Sequence, residues 1–204
     1  MDDQAFIIEM LIELYRTHWD EKYLKEAKDL LEKVLEYYYD STSGSFFYTG
    51  NQHEQLVVRT KEVMDNVIPS SNSVMANNLF VLGHYFDQAE WIKISKNICM
   101  ALKDQAIKYG PYFSNWANVM LAHTNSGFEI AITGPINQND LKEFLKIPGA
   151  IIMMKNKNNT VIPLLEDKQL TDVLQIYICK DKACGLPLNN VEEAIRQISG
   201  RKGQ

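Results

Sequence analysis

The run richest in reactive side chains is VVRTKEVMDNVIPSSNS, residues 57–73. Within seven residues it carries Arg59, Lys61, Glu62 and Asp65, two cations and two carboxylates. Cations hold phosphate or carboxylate groups, and a carboxylate can trade protons with a substrate when a neighbour raises its pKa. The run ends in IPSSNS, where Pro69 sets φ and Ser70, Ser71 or Asn72 can cap a helix. Free N–H groups at such a helix start, joined by the Ser70 and Asn72 side chains, offer a grip for a sugar hydroxyl or an anion. The same residues also read as an ordinary capped helix behind a charged loop.

Two more helix starts carry polar or aromatic side chains. Asp2 and Asp3 open the chain as paired carboxylates, suited to acid–base work or, more simply, to a helix dipole. Tyr109, Tyr112, Asn115 and Trp116 surround another start, where aromatics with an amide suit sugar stacking and hydrogen bonding or plain core packing. The histidines, His18, His53, His84 and His123, lack metal-ligand spacing. His53, in a long loop, is the one that enters the list of acid–base candidates. Cys179 and Cys184 form C-x4-C in ICKDKAC, with no histidine nearby, so neither a zinc site nor a C-x-x-C redox motif is expected. A strand-end thiol pair that is buried or merely close is the expectation there, its redox state left open, with Cys99 a core residue. No G-x-S-x-G, P-loop or G-x-G-x-x-G is present.

The elements that must position these residues follow from periodicity. Apolar residues at helical spacing predict helices over 3–18, 21–38, 71–85, 88–108 and 112–122. Between the second and third, DSTSGSFFYTG predicts a tight turn or small β-hairpin, and 51–69 a long mixed loop. The helices form αα-hairpins, which bury their apolar faces only by stacking. Near residue 126 the pattern changes. FEIAIT, AIIMM and LQIYIC read as strands, with helices over 137–146 and 191–199, a βαβ…βα order that favours a small parallel or mixed sheet. Two regions are therefore expected, 1–126 helical and 127–204 α/β.

Composition excludes several classes. The chain has 204 residues, 46% hydrophobic and 23% charged, enough for a sizeable core. With 21 basic against 26 acidic residues, net charge −5, it lacks the basic face that nucleic-acid binding requires. No apolar run approaches the roughly 20 residues that span a bilayer. The acidic start MDDQAF is unlike a signal peptide, and three cysteines make no disulfide framework, so a reducing, cytoplasmic setting is expected.

MDDQAFIIEMLIELY, SGSFFYTG, VRTKEVMDNVIPSSNSVMANNL and IYICKDKACGLP occur in that order. This order resembles the C-terminal part of the thioredoxin-domain-containing proteins of the spermatogenesis-associated type, over about residues 2–199. The resemblance implies a mainly α fold. It would be a partial (α/α)6 toroid similar to N-acylglucosamine 2-epimerases and six-hairpin glycosidases, followed by a small α/β segment. It also implies a missing N-terminal part of the same protein, including a thioredoxin-like domain. By that analogy Asp2, Asp3, Arg59, Lys61, Glu62, Asp65, Asn72, Tyr112 and Trp116 would line one end of a cavity, with Ser70 at the same helix start. Asp3, Glu62 and Asp65 are the expected catalytic carboxylates. The others are expected to bind a small sugar ligand, with neither cofactor nor metal. The alternative is a non-catalytic interaction scaffold attached to the absent redox domain.

Overall fold

The computed structural model describes residues 1–52, 58–124, 128–147, 149–180 and 182–201. The chain is mainly α and divides into two compact units, Met1–His84 with Gln88–Leu121, and Tyr85–Asp87 with Ala122–Gln204.

The first unit begins with helices α1 (Asp2–His18) and α2 (Lys22–Tyr38), packed as a hairpin. Ala5, Ile8, Leu11, Ile12 and Tyr15 of α1 and Leu24, Ala27, Leu31 and Val34 of α2 are buried at three- and four-residue spacing. Between the two helices Asp20 accepts from Lys22 N at 3.1 Å, a local side-chain cap. Strands β1 (Tyr39–Asp40) and β2 (Ser45–Phe46) then form a small antiparallel hairpin. Its loop closes with Gly44 at φ 70, a left-handed conformation that glycine adopts without a Cβ clash. Helices α3 (Ser71–Tyr85) and α4 (Ala89–Lys108) follow. A 3-10 turn at Gly110–Tyr112 comes next, and then α5 (Ser114–Thr124).

The start of α5 corrects the expectation of a helix from Tyr112. Pro111 sets a separate turn, and Tyr112 lies in it rather than on the helix. Two buried side chains tie helices together through backbone carbonyls. Asn78 of α3 donates to Ala5 O at 2.8 Å, and Ser95 of α4 donates to Ala76 O at 2.6 Å.

The second unit is built on a four-stranded mixed sheet. Strand β3 (Glu129–Thr133) runs parallel to β4 (Ile151–Lys155), joined by helix α6 (Gln138–Leu145). Asn137 caps α6 by accepting from Asp140 N at 2.9 Å. After β4 come the four-residue helix α7 (Pro163–Glu166), strands β5 (Gln175–Lys180) and β6 (Ala183–Cys184), and helix α8 (Val191–Arg201). The sheet order is β4-β3-β5-β6, with β5 antiparallel to both neighbours. Every residue of β3 and β4 is buried, as their continuous apolar runs require. Lys155 ends β4 inside the fold, and its ammonium donates to the carbonyls of Leu165, Glu166 and Lys168 at the close of α7.

Helix α7 and strand β6 were not legible as elements. The redox state of Cys179 and Cys184, open from sequence, is decided here: the two residues are cross-strand partners and form a disulfide, while Cys99 is free and buried.

Candidate functional site

The loop before α3 is organised by one carboxylate. Asp65 is 4% exposed. Its Oδ1 accepts from Ser70 N at 2.9 Å and from Ser73 Oγ at 2.8 Å, and its Oδ2 accepts from Asn115 N at 2.9 Å. Ser70 is itself the cap of α3, its hydroxyl accepting from Ser73 N at 3.3 Å. One side chain thus binds the first turns of two helices that begin 43 residues apart, at Ser71 and Ser114. The positive ends of both helix dipoles meet that carboxylate. With three fixed donors on its two oxygens, the Asp65 carboxylate holds the loop and both helix starts together.

The neighbouring polar residues serve the same scaffold. Asn72 is fully buried and pairs with the backbone of Phe46, accepting from its N–H at 2.8 Å and donating to its C=O at 3.0 Å. It also donates to Glu62 O at 2.8 Å. In this way the β-hairpin, the loop and α3 share one side chain. Trp116 of α5 is fully buried, and its indole donates to Val63 O at 2.7 Å, so the ring offers no stacking face. Asn115 donates to Ser73 Oγ at 2.9 Å.

Arg59 and Lys61 lie over the Phe47 ring, at 4.0 and 4.4 Å from its centroid. Arg59 donates to the carbonyls of Thr49 and Tyr37. Lys61 pairs with Asp40 at 2.5 Å and donates to Ser43. The Lys61 and Ser43 bonds hold the Asp40 carboxyl well below the usual carboxylate range.

Beside this scaffold opens a cleft of about 390 Å³, lined by Lys61, Glu62, Val63, Met64, Asp65, Asn66 and Tyr112. Glu62 is exposed in it. Tyr112 is 50% exposed, while its carbonyl accepts from Asp65 N at 2.8 Å. Of the residues singled out from sequence, Lys61, Glu62, Asp65 and Tyr112 therefore share one cleft. Ser70, Asn72 and Trp116 lie in the buried framework behind the loop, and Arg59 clamps carbonyls beside it. Asp2 accepts from the Tyr48 hydroxyl at 3.1 Å, which pushes the phenol upward in pKa, and Asp3 is exposed in the first turn of α1. Neither lines the cleft. His53 lies outside the described residues.

No family model matches the chain. It is 23% identical over 205 residues to human spermatogenesis-associated protein 20, covering 93% of this chain and 26% of that protein. The mouse protein of the same name is 22% identical over the same share. An uncharacterized protein of Caenorhabditis elegans is 25% identical over 206 residues, 94% of this chain and 27% of that one. The chain is similar to spermatogenesis-associated protein 20 over nearly its whole length.

It spans about a quarter of the length of these relatives. The residues that sequence reasoning missed are Ser73 and Phe47, which act as partners of Asp65 and of Arg59 and Lys61. Their signal was weak because a serine inside a helix's first turn and a phenylalanine in a hairpin have no distinctive spacing to the groups they meet. Among the described residues no group of three His, Cys, Asp or Glu side chains is placed to hold a metal ion. Among them, too, no helix is long and apolar enough to cross a membrane.

Proposed function

We propose that this chain is the C-terminal part of a larger protein and forms one end of an (α/α)6-type toroid, similar to N-acylglucosamine 2-epimerases and six-hairpin glycosidases. In this reading the cleft takes a sugar or sugar derivative. The observation that carries it is the Asp65 hub: two helix starts are pinned together, and a cleft of monosaccharide size opens beside them. The half-exposed Tyr112 ring supplies a stacking wall, and Glu62 is the exposed carboxylate that can exchange a proton with a bound hydroxyl or ring carbon. Asp65 then acts as a positioning residue.

The test is a panel of hexoses, N-acyl amino sugars and their phosphates, followed by thermal shift and product analysis on this chain and on the full-length protein. A ligand at a hundred times its Kd should raise stability by about 2.7 kcal/mol. Tyr112→Ala should abolish that shift, and Glu62→Gln should keep the shift and lose turnover. A panel that shifts neither the chain nor the full-length protein sinks the reading.

A second reading has its own observation. Val67 is 95% exposed and Ile68 55% exposed, adjoining the loop that forms the cleft, which suits a surface that docks a partner without turnover. In that case the chain is an interaction scaffold attached to a thioredoxin-like domain, and ligand shifts would come without product.

A further inference from the structure

The hairpin YICKDKACGLP carries chemistry that the cleft does not use. Cys179 on β5 and Cys184 on β6 are direct cross-strand partners and are joined as a disulfide. The two sulfurs sit in unlike surroundings. Cys179 is fully buried in a strand with a neighbour on each side, whereas Cys184 is exposed on the two-residue strand at the sheet edge. The residues after it are open as well, Leu186 being 89% exposed. An incoming thiol therefore has access to one sulfur of the pair.

The bridge is also not needed as a staple. It closes a sequence separation of 5, and the entropic benefit of a disulfide grows with the loop it closes. The segment is registered by backbone bonds without it. Gly185 N donates to Ile178 O at 3.1 Å, and Ile176 and Leu188 exchange N–H···O bonds at 2.7 and 2.9 Å. The turn has two further anchors, Lys182 N donating to Glu129 Oε2 at 3.2 Å and the Lys182 ammonium pairing with Asp87.

We propose that the Cys179–Cys184 bridge is a reversible thiol–disulfide exchange site, opened by a protein dithiol that attacks Cys184. The reductant's thiolate forms a bond to Cys184 Sγ, and the electron pair of the broken S–S bond leaves on Cys179 Sγ, which takes up a proton. The reductant's second thiol gives up its proton and attacks its own sulfur in the mixed disulfide, releasing the Cys184 thiolate, which is protonated in turn. The hairpin gains two electrons and two protons, and the dithiol becomes a disulfide. Reduction releases the covalent tie between β6 and β5 and leaves the main-chain register in place. This inference is independent of the sugar-binding reading. The third cysteine provides an internal reference, since burial pushes the Cys99 thiol up to about 12 and keeps it unreactive in the folded chain.

The experiment uses the whole chain and, as probe, a bacterial thioredoxin whose resolving cysteine has been replaced. The air-oxidised chain should expose no thiol to a maleimide when native and one when denatured. It should form a one-to-one mixed disulfide with the probe, mapped by mass spectrometry to Cys184. Intact thioredoxin should then reduce the bridge at least tenfold faster than glutathione at equal thiol concentration, leaving three thiols on denaturation and an unchanged far-ultraviolet circular dichroism spectrum. Hydrogen exchange should rise only around 182–188. Three free thiols in the oxidised chain, a mixed disulfide on Cys179, or reduction only in urea would each overturn the proposal.

Discussion

The two units hold their elements together by different means. In the first, the loop and the starts of α3 and α5 are assembled by a few buried polar side chains, Asp65, Ser70, Asn72 and Ser73, each bonded to a particular distant group. In the second, the sheet is assembled by apolar strands buried along their whole length, with Ile130, Ala131, Ile132, Ile152 and Met153 nearly inaccessible. A hydrogen-bonded hub is specific but brittle, because removing one partner leaves several buried groups unpaired. An apolar sheet spreads its stabilisation over many contacts, each small. The difference teaches that the cleft's geometry rests on very few residues.

The most destructive way to probe this contrast is Asp65→Ala. It strands Ser70 N and Asn115 N, while the Ser73 hydroxyl keeps the Ser70 carbonyl as acceptor, and should cost about 2–5 kcal/mol. Asp65→Asn keeps the size and one acceptor oxygen and should lose less. Urea unfolding measures both; a loss below about 1 kcal/mol for the alanine variant would show that the hub is not what holds the helix starts.

A mild cut in the sheet sharpens the comparison. Ile132 is fully buried between Met154 and Ile176, yet Ile132→Val removes one methylene and should cost about 0.5–1.5 kcal/mol. For a chain of this size, each kcal/mol moves Tm by about 2–4 °C. Equal losses for Ile132→Val and Asp65→Ala would erase the distinction between the units.

The smallest effect is expected at the rim. Lys61 and Ser43 depress the Asp40 carboxyl in the folded chain, so the stabilisation is complete above the ordinary aspartate pKa near 4 and drains away as pH falls below it. Lys61→Met should flatten that acid limb by lowering stability slightly at neutral pH, with stability at low pH unchanged. An acid-unfolding curve that keeps its slope in the variant would rule the pair out as its source.

Much of the fold was legible from local pattern. The apolar spacing over 71–85 corresponds to α3 at Ser71–Tyr85, and the switch to β-branched runs marks β3, β4 and β5. Short elements were not legible, because four residues at Pro163–Glu166 or two at Ala183–Cys184 are too few to show a period. The site was half legible. Lys61, Glu62, Asp65 and Tyr112 were singled out and do line one cleft, but spacing alone could not separate a proton-exchanging carboxylate from a capping one. Glu62 and Asp65 stand three residues apart with the same functional group; one is exposed and the other is enclosed by three donors.

By itself the sequence determined the order of the longer helices and strands, the presence of capping residues near 70 and 137, and the switch from helical to α/β pattern. These depend on side chains a few residues apart, whose geometry the backbone period sets. Only the tertiary structure decided that Asp65 joins α3 to α5, that Trp116 is core rather than a sugar platform, and that Cys179 meets Cys184 across a sheet edge. The first of these needs groups 50 residues apart to meet, the second the burial of a whole ring, and the third a strand register that places two sulfurs in contact. Burial, long-range contact and register arise from the packed chain as a whole and have no local signature.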